Sequence, residues 1–325
     1  MLVTGAGGPA AVSFMRAVEG PDVELHAVDI DPYAVGLYLV PADRRALVPR
    51  GDDPTFGDVL LGYCRDHRID VVVPTVDTEL LPVCGRRADF AAVGTSVIGA
   101  SVATLGWCLD KWDLMVRCAA LGVTARTAVL DGTFEPGAWD WPGIAKPRRG
   151  SGGRGVELVT GPDELARLPH DGSFIVQEHL PGIEHSIDVL AYGDGRIAAV
   201  VPRSRLKVDS GIAVAGCTVE DEALERIGRT VAEAIELTTV ANVQVKGAAD
   251  GTPRLLEVNP RFPGTMPLTV ASGVDMPTLS LADALGLPVP DAVPFRSLAM
   301  VRHWDEIFLA VEELDATGQP AEVAT

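Results

Sequence analysis

The chain has 325 residues, 47% of them apolar and 5% aromatic, with a formal net charge of −18. That length suits about two domains. The charge argues against nucleic acid or an acidic membrane surface as the main partner, but a local pocket of Lys and Arg could still hold a phosphate ligand.

The first hundred residues alternate strand and helix. "MLVTGAGG" reads as a strand running into a glycine turn, "AAVSFMRAVEG" as a helix closed by Gly20, and "ELHAVDID" as a second strand. "FGDVLLGYCRDHR" reads as a helix, "IDVVVPT" as a strand and "DTELLPVCGRRADF" as another helix. Buried β-rich runs separated by helices predict a parallel, doubly wound sheet. "GASVATLGWCLDKWDLMVRCAALGV" is helical and ends at Gly122. Beyond it the character changes to largely antiparallel β: "GIAKP", "VELVT", "FIVQEHL", "HSIDVLAY", "RIAAVVP", "ANVQVKG" and "RLLEVNP", some joined by short turns such as "GDGR" and "ADGT". A helix is predicted over 221–237, with Leu224, Ile227, Val231 and Ile235 on one stripe and a Thr218–Asp221 capping box before it. The tail, "ATGQPAEVAT", reads as disordered. The expected fold is therefore an α/β Rossmann-like domain over 1–98, then an α+β domain over 99–315 with subdomains of about 120–178 and 179–315, and a tail at 316–325.

Cys64, Cys84, Cys108, Cys118 and Cys217 have no close pairing, and the six histidines show no HxH or HExxH spacing. No apolar run reaches the roughly 18–20 residues of a membrane span, and the N-terminus shows no signal-like region, so a cytosolic setting is expected.

"VTGAGGPA" is close to a dinucleotide fingerprint, with Asp29 and Asp31 roughly 20 residues on, where a ribose-binding acid would stand. A first βα turn needs glycine whether or not it holds a ligand, so a structural reading stands beside that one. "AKPRRGSGGRG" offers Gly150, Gly152, Gly153 and Gly155 in a flexible loop that could cradle phosphates, with Lys146, Arg148, Arg149 and Arg154 adding charge. In "VQEHLPGIE", Glu178 and Glu184 flank an apolar linker suited to an adenine ring and ribose hydroxyls, or are two solvated acids beside a surface turn. In "LLEVNPRFPGT", residues two apart in a strand share a face, so Glu257 and Asn259 point one way. If the hairpin with "ANVQVKG" registers suitably, Gln244 joins them. An oxygen set with one full charge suits Mg²⁺, and Arg261 lies where charge on a transferred phosphoryl group would need it.

Taken in order along the chain, these segments resemble the ATP-grasp superfamily. The carbamoyl-phosphate synthase large subunit and stand-alone carboxylate–amine ligases such as the pyrrolysine-biosynthesis ligase are the most similar. The resemblance implies an N-terminal fold that binds no dinucleotide and two α+β subdomains that grip ATP. By position it implies Lys111 and Lys146 on the nucleotide phosphates, Gly150 to Gly155 as a closing flap, Glu178 and Leu180 at the adenine and Glu184 at the ribose. It further implies Gln244, Glu257 and Asn259 as ligands of Mg²⁺, with Mn²⁺ as an alternative, and Arg261 at the acyl-phosphate step. Arg203 and Arg205 are candidates for substrate contact or for an exposed basic strand. Ala213 stands where the synthase has a histidine, and the chain has room for one synthetase half. The implied reaction joins a small-molecule carboxylate to an amine, or a thiol, through an acyl phosphate, releasing ADP and phosphate; a homodimer is compatible with this size. The alternatives are a catalytically silent ATP-binding regulator of the same fold and a nicotinamide oxidoreductase.

Overall fold

The structure, a computed structural model, describes residues 1–150 and 152–315. The expected disorder of the tail falls outside the described residues.

The N-terminal part is built from β1 (Leu2–Thr4), α1 (Pro9–Val18), β2 (His26–Asp29), β3 (Arg45–Leu47), α2 (Phe56–Asp66), β4 (Val71–Val73), α3 (Asp77–Cys84), α4 (Arg87–Ala92) and β5 (Ser96–Val97). The strands form one parallel sheet in the order β3-β2-β1-β4-β5. Its inner strands are buried because helices cover both faces, which is why "VVV" carries no polar alternation. The run expected as one helix from Asp77 is two. Pro82 removes a helical N–H and Gly85 weakens the next turn, so the chain restarts at Arg87.

The next expected single helix is also split, into α5 (Val102–Cys108) and α6 (Lys111–Cys118). The Asp110 carboxylate accepts from the Trp112 and Asp113 N–H groups and so starts a second helix. Gly122 ends this region with φ 67°, the left-handed conformation that favours glycine.

β6 (Thr127–Leu130), β7 (Gly143–Pro147), β8 (Glu157–Val159), α7 (Pro162–Leu165) and β9 (Phe174–Glu178) follow, with the strands antiparallel in the order β6-β9-β7-β8. The chain continues through β10 (Glu184–Ala191), β11 (Ile197–Ser204), β12 (Lys207–Asp209), β13 (Ile212–Cys217), α8 (Glu222–Ala234), β14 (Val240–Gly247), β15 (Pro253–Asn259), α9 (Met266–Ala271), α10 (Met276–Ala284), β16 (Ala299–Val301) and α11 (Val311–Asp315). These strands make two antiparallel sheets, β11-β10-β14-β15 and β12-β13-β16. Leu224, Ile227 and Val231 of α8 bury against Ile187, Val189 and Val243 of the first, each contributing about 1.5–3 kcal/mol of apolar burial. Asp221 alone caps α8, through the Ala223 and Leu224 N–H groups. The expected partner in a capping box, Thr218, instead accepts from Leu298 N–H and donates to the Arg296 carbonyl.

Candidate active site

The face of the β11-β10-β14-β15 sheet opposite α8 carries polar residues because period-two alternation turns them away from the core. Pairing registers place Ser186 opposite both Arg203 and Gln244, and Gln244 opposite Glu257, giving one polar row across four strands. A second row runs Asp188–Asn242–Asn259. Glu184 lies opposite Lys246, one step further out.

The second row is anchored below. Asp188, fully buried, accepts from Arg203 Nε at 2.8 Å and Nη2 at 2.6 Å, from Asn242 Nδ2 at 2.8 Å and from the Thr269 hydroxyl at 2.5 Å. With Asn242 Nδ2 donating downward, its Oδ1 accepts from Gln244 Nε2 at 3.4 Å. That orientation leaves Gln244 Oε1 available beside Glu257. Asn259 Nδ2 likewise donates to Glu257 Oε1 at 3.3 Å, leaving Asn259 Oδ1 and Glu257 Oε2 available. Three oxygens without a partner among the described residues, from two amides and one carboxylate, fit a divalent cation that keeps several waters. Sequence alternation would put Leu256 on the far face from Glu257, but the register shifts after Gln244, so both line the cleft.

Above this floor is a cleft of about 700 Å³ lined by residues from the first glycine turn, at Gly8, to Thr265. Lys146, on β7, is 7% exposed and donates to Gln177 Oε1 at 2.9 Å. Burial, aided by Lys111, pushes its amine down to about 8, while Glu257 and Glu184 oppose the fall. The loop after it places Gly150, Gly152, Gly153 and Gly155 all at positive φ, which explains a glycine run there. Lys111 Nζ donates to the Gly150 carbonyl at 2.8 Å, and Arg148 and Arg149 both pair with Asp110.

At the hinge, Glu178, His179 and the buried Leu180 line the cleft, and one oxygen of the Glu178 carboxylate, Oε1, accepts from the Arg126 N–H at 2.8 Å. Gly182 lies against β14, where a Cβ would meet the Gly247 carbonyl oxygen at 2.7 Å. Glu184 pairs with Arg205 Nε at 3.1 Å. Arg203 lines the cleft and is buried with its charge met by Asp188, so it is not the exposed basic strand that was one of its two expected readings.

At the opposite end Gly8, Pro9 and Ala10 of the first glycine turn, with Thr75, Val76 and Asp77, complete the wall, and Arg261 pairs with Asp77 at 2.6 Å. Asp29 is turned inward and accepts from the Gly7 N–H at 2.7 Å. Sequence reasoning missed Asp188 and the roles of Asn242 and Gln177. Asp188 was visible as the third member of the alternating Glu184, Ser186, Asp188 set; Gln177 left no such signal.

A family model for the PylC-like N-terminal domain matches residues 1–98, and one for ATP-grasp in the biosynthetic pathway with Ter operon matches residues 170–307. The chain belongs to the ATP-grasp superfamily. The carbamoyl phosphate synthase large chain of Deinococcus radiodurans is 26% identical over 345 residues, covering 95% of this chain and 33% of that one. This ATP-grasp chain thus spans about a third of the length of that relative. The biotin carboxylase domain of the Hydrogenobacter thermophilus 2-oxoglutarate carboxylase, solved with MgADP and bicarbonate, superposes with TM-score 0.74 at 16% identity, covering 90% of this chain and 72% of that one. An L-amino acid ligase from Bacillus licheniformis superposes with TM-score 0.67 at 17% identity, covering 87% and 73%. Among the described residues, no helix is long and apolar enough to cross a membrane.

Proposed function

We propose that the protein is an ATP- and Mg²⁺-dependent ligase that joins a carboxylate to an amine, or a thiol, through an acyl phosphate. The observation that carries this reading is the pairing register that sets Gln244 opposite Glu257 and Asn242 opposite Asn259, beneath the buried Lys146 and beside Arg261. The oxygens of Gln244, Glu257 and Asn259 would hold the cation, which supplies charge neutralisation between nucleotide phosphates.

The chain's own groups then act by position. Lys146 and Lys111 hold phosphates, the flap at Gly150–Gly155 excludes water, the Glu178–Leu180 hinge lies along the adenine and Glu184 meets the ribose. Arg261 stabilises charge on the transferring group. A substrate carboxylate oxygen bonds to the γ-phosphorus as ADP departs. The amine then attacks the acyl carbon, loses one proton and expels phosphate. Residues 1–98 form a platform for substrate and 99–315 the nucleotide grip. The substrates are small molecules met in the cytosol, and a homodimer is the proposed assembly. The full polar set leaves the silent-regulator alternative without support.

The test is magnesium-dependent ADP release from ATP, screened over amino acids and small carboxylates, singly and in pairs, with and without ammonia. Release requiring one carboxylate, and rising with one amine, is the expected result. ATP binding without release under any pairing counts against the ligase.

A further inference from the structure

Arg261 and Asp77 lie 184 residues apart in sequence. The Arg261 Nε donates to Asp77 Oδ1 at 2.6 Å and Nη2 to Oδ2 at 3.4 Å, while among the described residues Nη1 reaches only the Phe262 carbonyl, at 3.4 Å. A guanidinium presents five N–H donors in a fixed planar fork. With its Nε/Nη2 edge held by one carboxylate, the Nη1/Nη2 end retains donors for a second anion. Both side chains are about four-fifths buried, at 21% and 18% exposed, and both line the cleft.

Asp77 is itself rigidly placed. It opens α3 at the carboxyl edge of the parallel sheet, the edge where open α/β sheets bind ligands. The Thr75 hydroxyl donates to the Thr4 carbonyl at 2.8 Å. The buried Glu79 accepts from the Thr4 hydroxyl at 2.5 Å and the Val76 N–H at 3.3 Å. The turn bearing Asp77 is thus tied to β1 on both sides.

We propose that Asp77 is a positioning residue for phosphoryl transfer: it grips one edge of Arg261 and so fixes the other edge for the γ-phosphoryl group. This inference rests on the ligase reading. In the step concerned, a carboxylate oxygen forms a bond to the γ-phosphorus while the bond to the β–γ bridging oxygen breaks. ADP leaves with that electron pair and Arg261 keeps its protons throughout.

The test compares the full-length wild type with Asp77→Asn and Asp77→Glu by calorimetric titration of MgADP, alone and with tetrafluoroaluminate as a mimic of the phosphoryl group in flight. The wild type is expected to bind the fluoride complex at least about tenfold more tightly than MgADP. Asp77→Asn should lose most of that gain while binding MgADP within about twofold of wild type, and Asp77→Glu should recover part of it. An equal gain in wild type and Asp77→Asn overturns the proposal, as does a larger gain in the variant, which would make Asp77 a competitor for Arg261. A parallel loss of MgADP affinity and melting temperature, with the ratio unchanged, identifies a mere strut and overturns it too. Wild type that binds MgADP without any fluoride gain overturns the proposal alone. Wild type that binds no MgADP overturns the ligase reading itself.

Discussion

The floor and the lid of the cleft are built by opposite means. The floor is four strands in fixed register, with Asp188 taking four hydrogen bonds out of contact with water. The lid after β7 is a glycine run at positive φ, held by Lys111 on one carbonyl and by two arginines on Asp110. Buried, fully satisfied polar groups define one arrangement, whereas solvent-exposed contacts, here those of Lys111 and Arg149, contribute about 0–1 kcal/mol and exchange readily; Arg148, 26% exposed against the buried Asp110, ties the root of the lid more firmly. The difference teaches that the oxygens proposed to face a cation are set before any ligand arrives, and that the loop over them is held less firmly.

The largest break in that comparison comes from the floor. Asp188→Asn keeps the shape but leaves Arg203, 1% exposed, without its counter-charge. Removing one partner of a buried pair costs about 3–5 kcal/mol, so the variant should lose that much in urea unfolding. A loss under about 1 kcal/mol would mean the floor is no more rigid than the lid.

Glu257→Gln tests the floor's chemistry apart from its stability. Glu257 is the one full charge among the three proposed cation ligands, and it sits in the partly exposed upper face. ADP release should fall about a hundred- to a thousandfold with the urea midpoint unchanged. Normal turnover by the folded variant would remove the metal assignment.

Much of this contrast was legible in the sequence, for physical reasons that also mark where it stopped. The parallel sheet showed itself because "VVV" buried on both faces leaves no alternation, and Glu257 and Asn259 showed themselves because period two needs no partner to be read. The glycine flap declared itself by composition. What stayed hidden depended on another strand or another segment. The shift that brings Leu256 round beside Glu257 exists only in the pairing with β14. The commitment of Arg203 to Asp188 and of Glu178 to the Arg126 N–H depends on contacts that composition does not carry. The helix break at Asp110 was local and still missed, because a capping aspartate inside an apolar-periodic run reads as a solvated residue until its N–H partners are seen.

Lys146 stands between floor and lid, and its titration sharpens the comparison. Burial lowers its amine from an ordinary 10.5 to about 8, so without nucleotide it is a cation below about pH 8 and neutral above it. Below about 8 both folded and unfolded chains carry the charge and the fold bears the full cost of burying it; that cost falls away as pH rises from about 8 toward the unfolded value of 10.5. Nucleotide phosphates require the cation, so above about 8 binding must also take up a proton. ATP affinity should therefore fall about tenfold from about pH 7 to about pH 9, and Lys146→Met should bind more weakly with no such slope. A wild-type affinity flat over that range would place the amine's titration elsewhere.

The smallest effect belongs to the lid. Lys111→Met removes the donor to the Gly150 carbonyl but keeps the aliphatic length of the side chain. A partly exposed ammonium–carbonyl contact is worth a few tenths of a kcal/mol, so amide hydrogen exchange over 152–156 in the empty protein should quicken about two- to fivefold. Exchange over 242–246 on β14 should not change, because no atom of Lys111 supports that strand's register. If both segments quicken together, lid and floor open as one cooperative unit and the distinction between them fails. If only the lid quickens, Lys111 is the residue that restrains the flap until phosphates offer it a stronger partner.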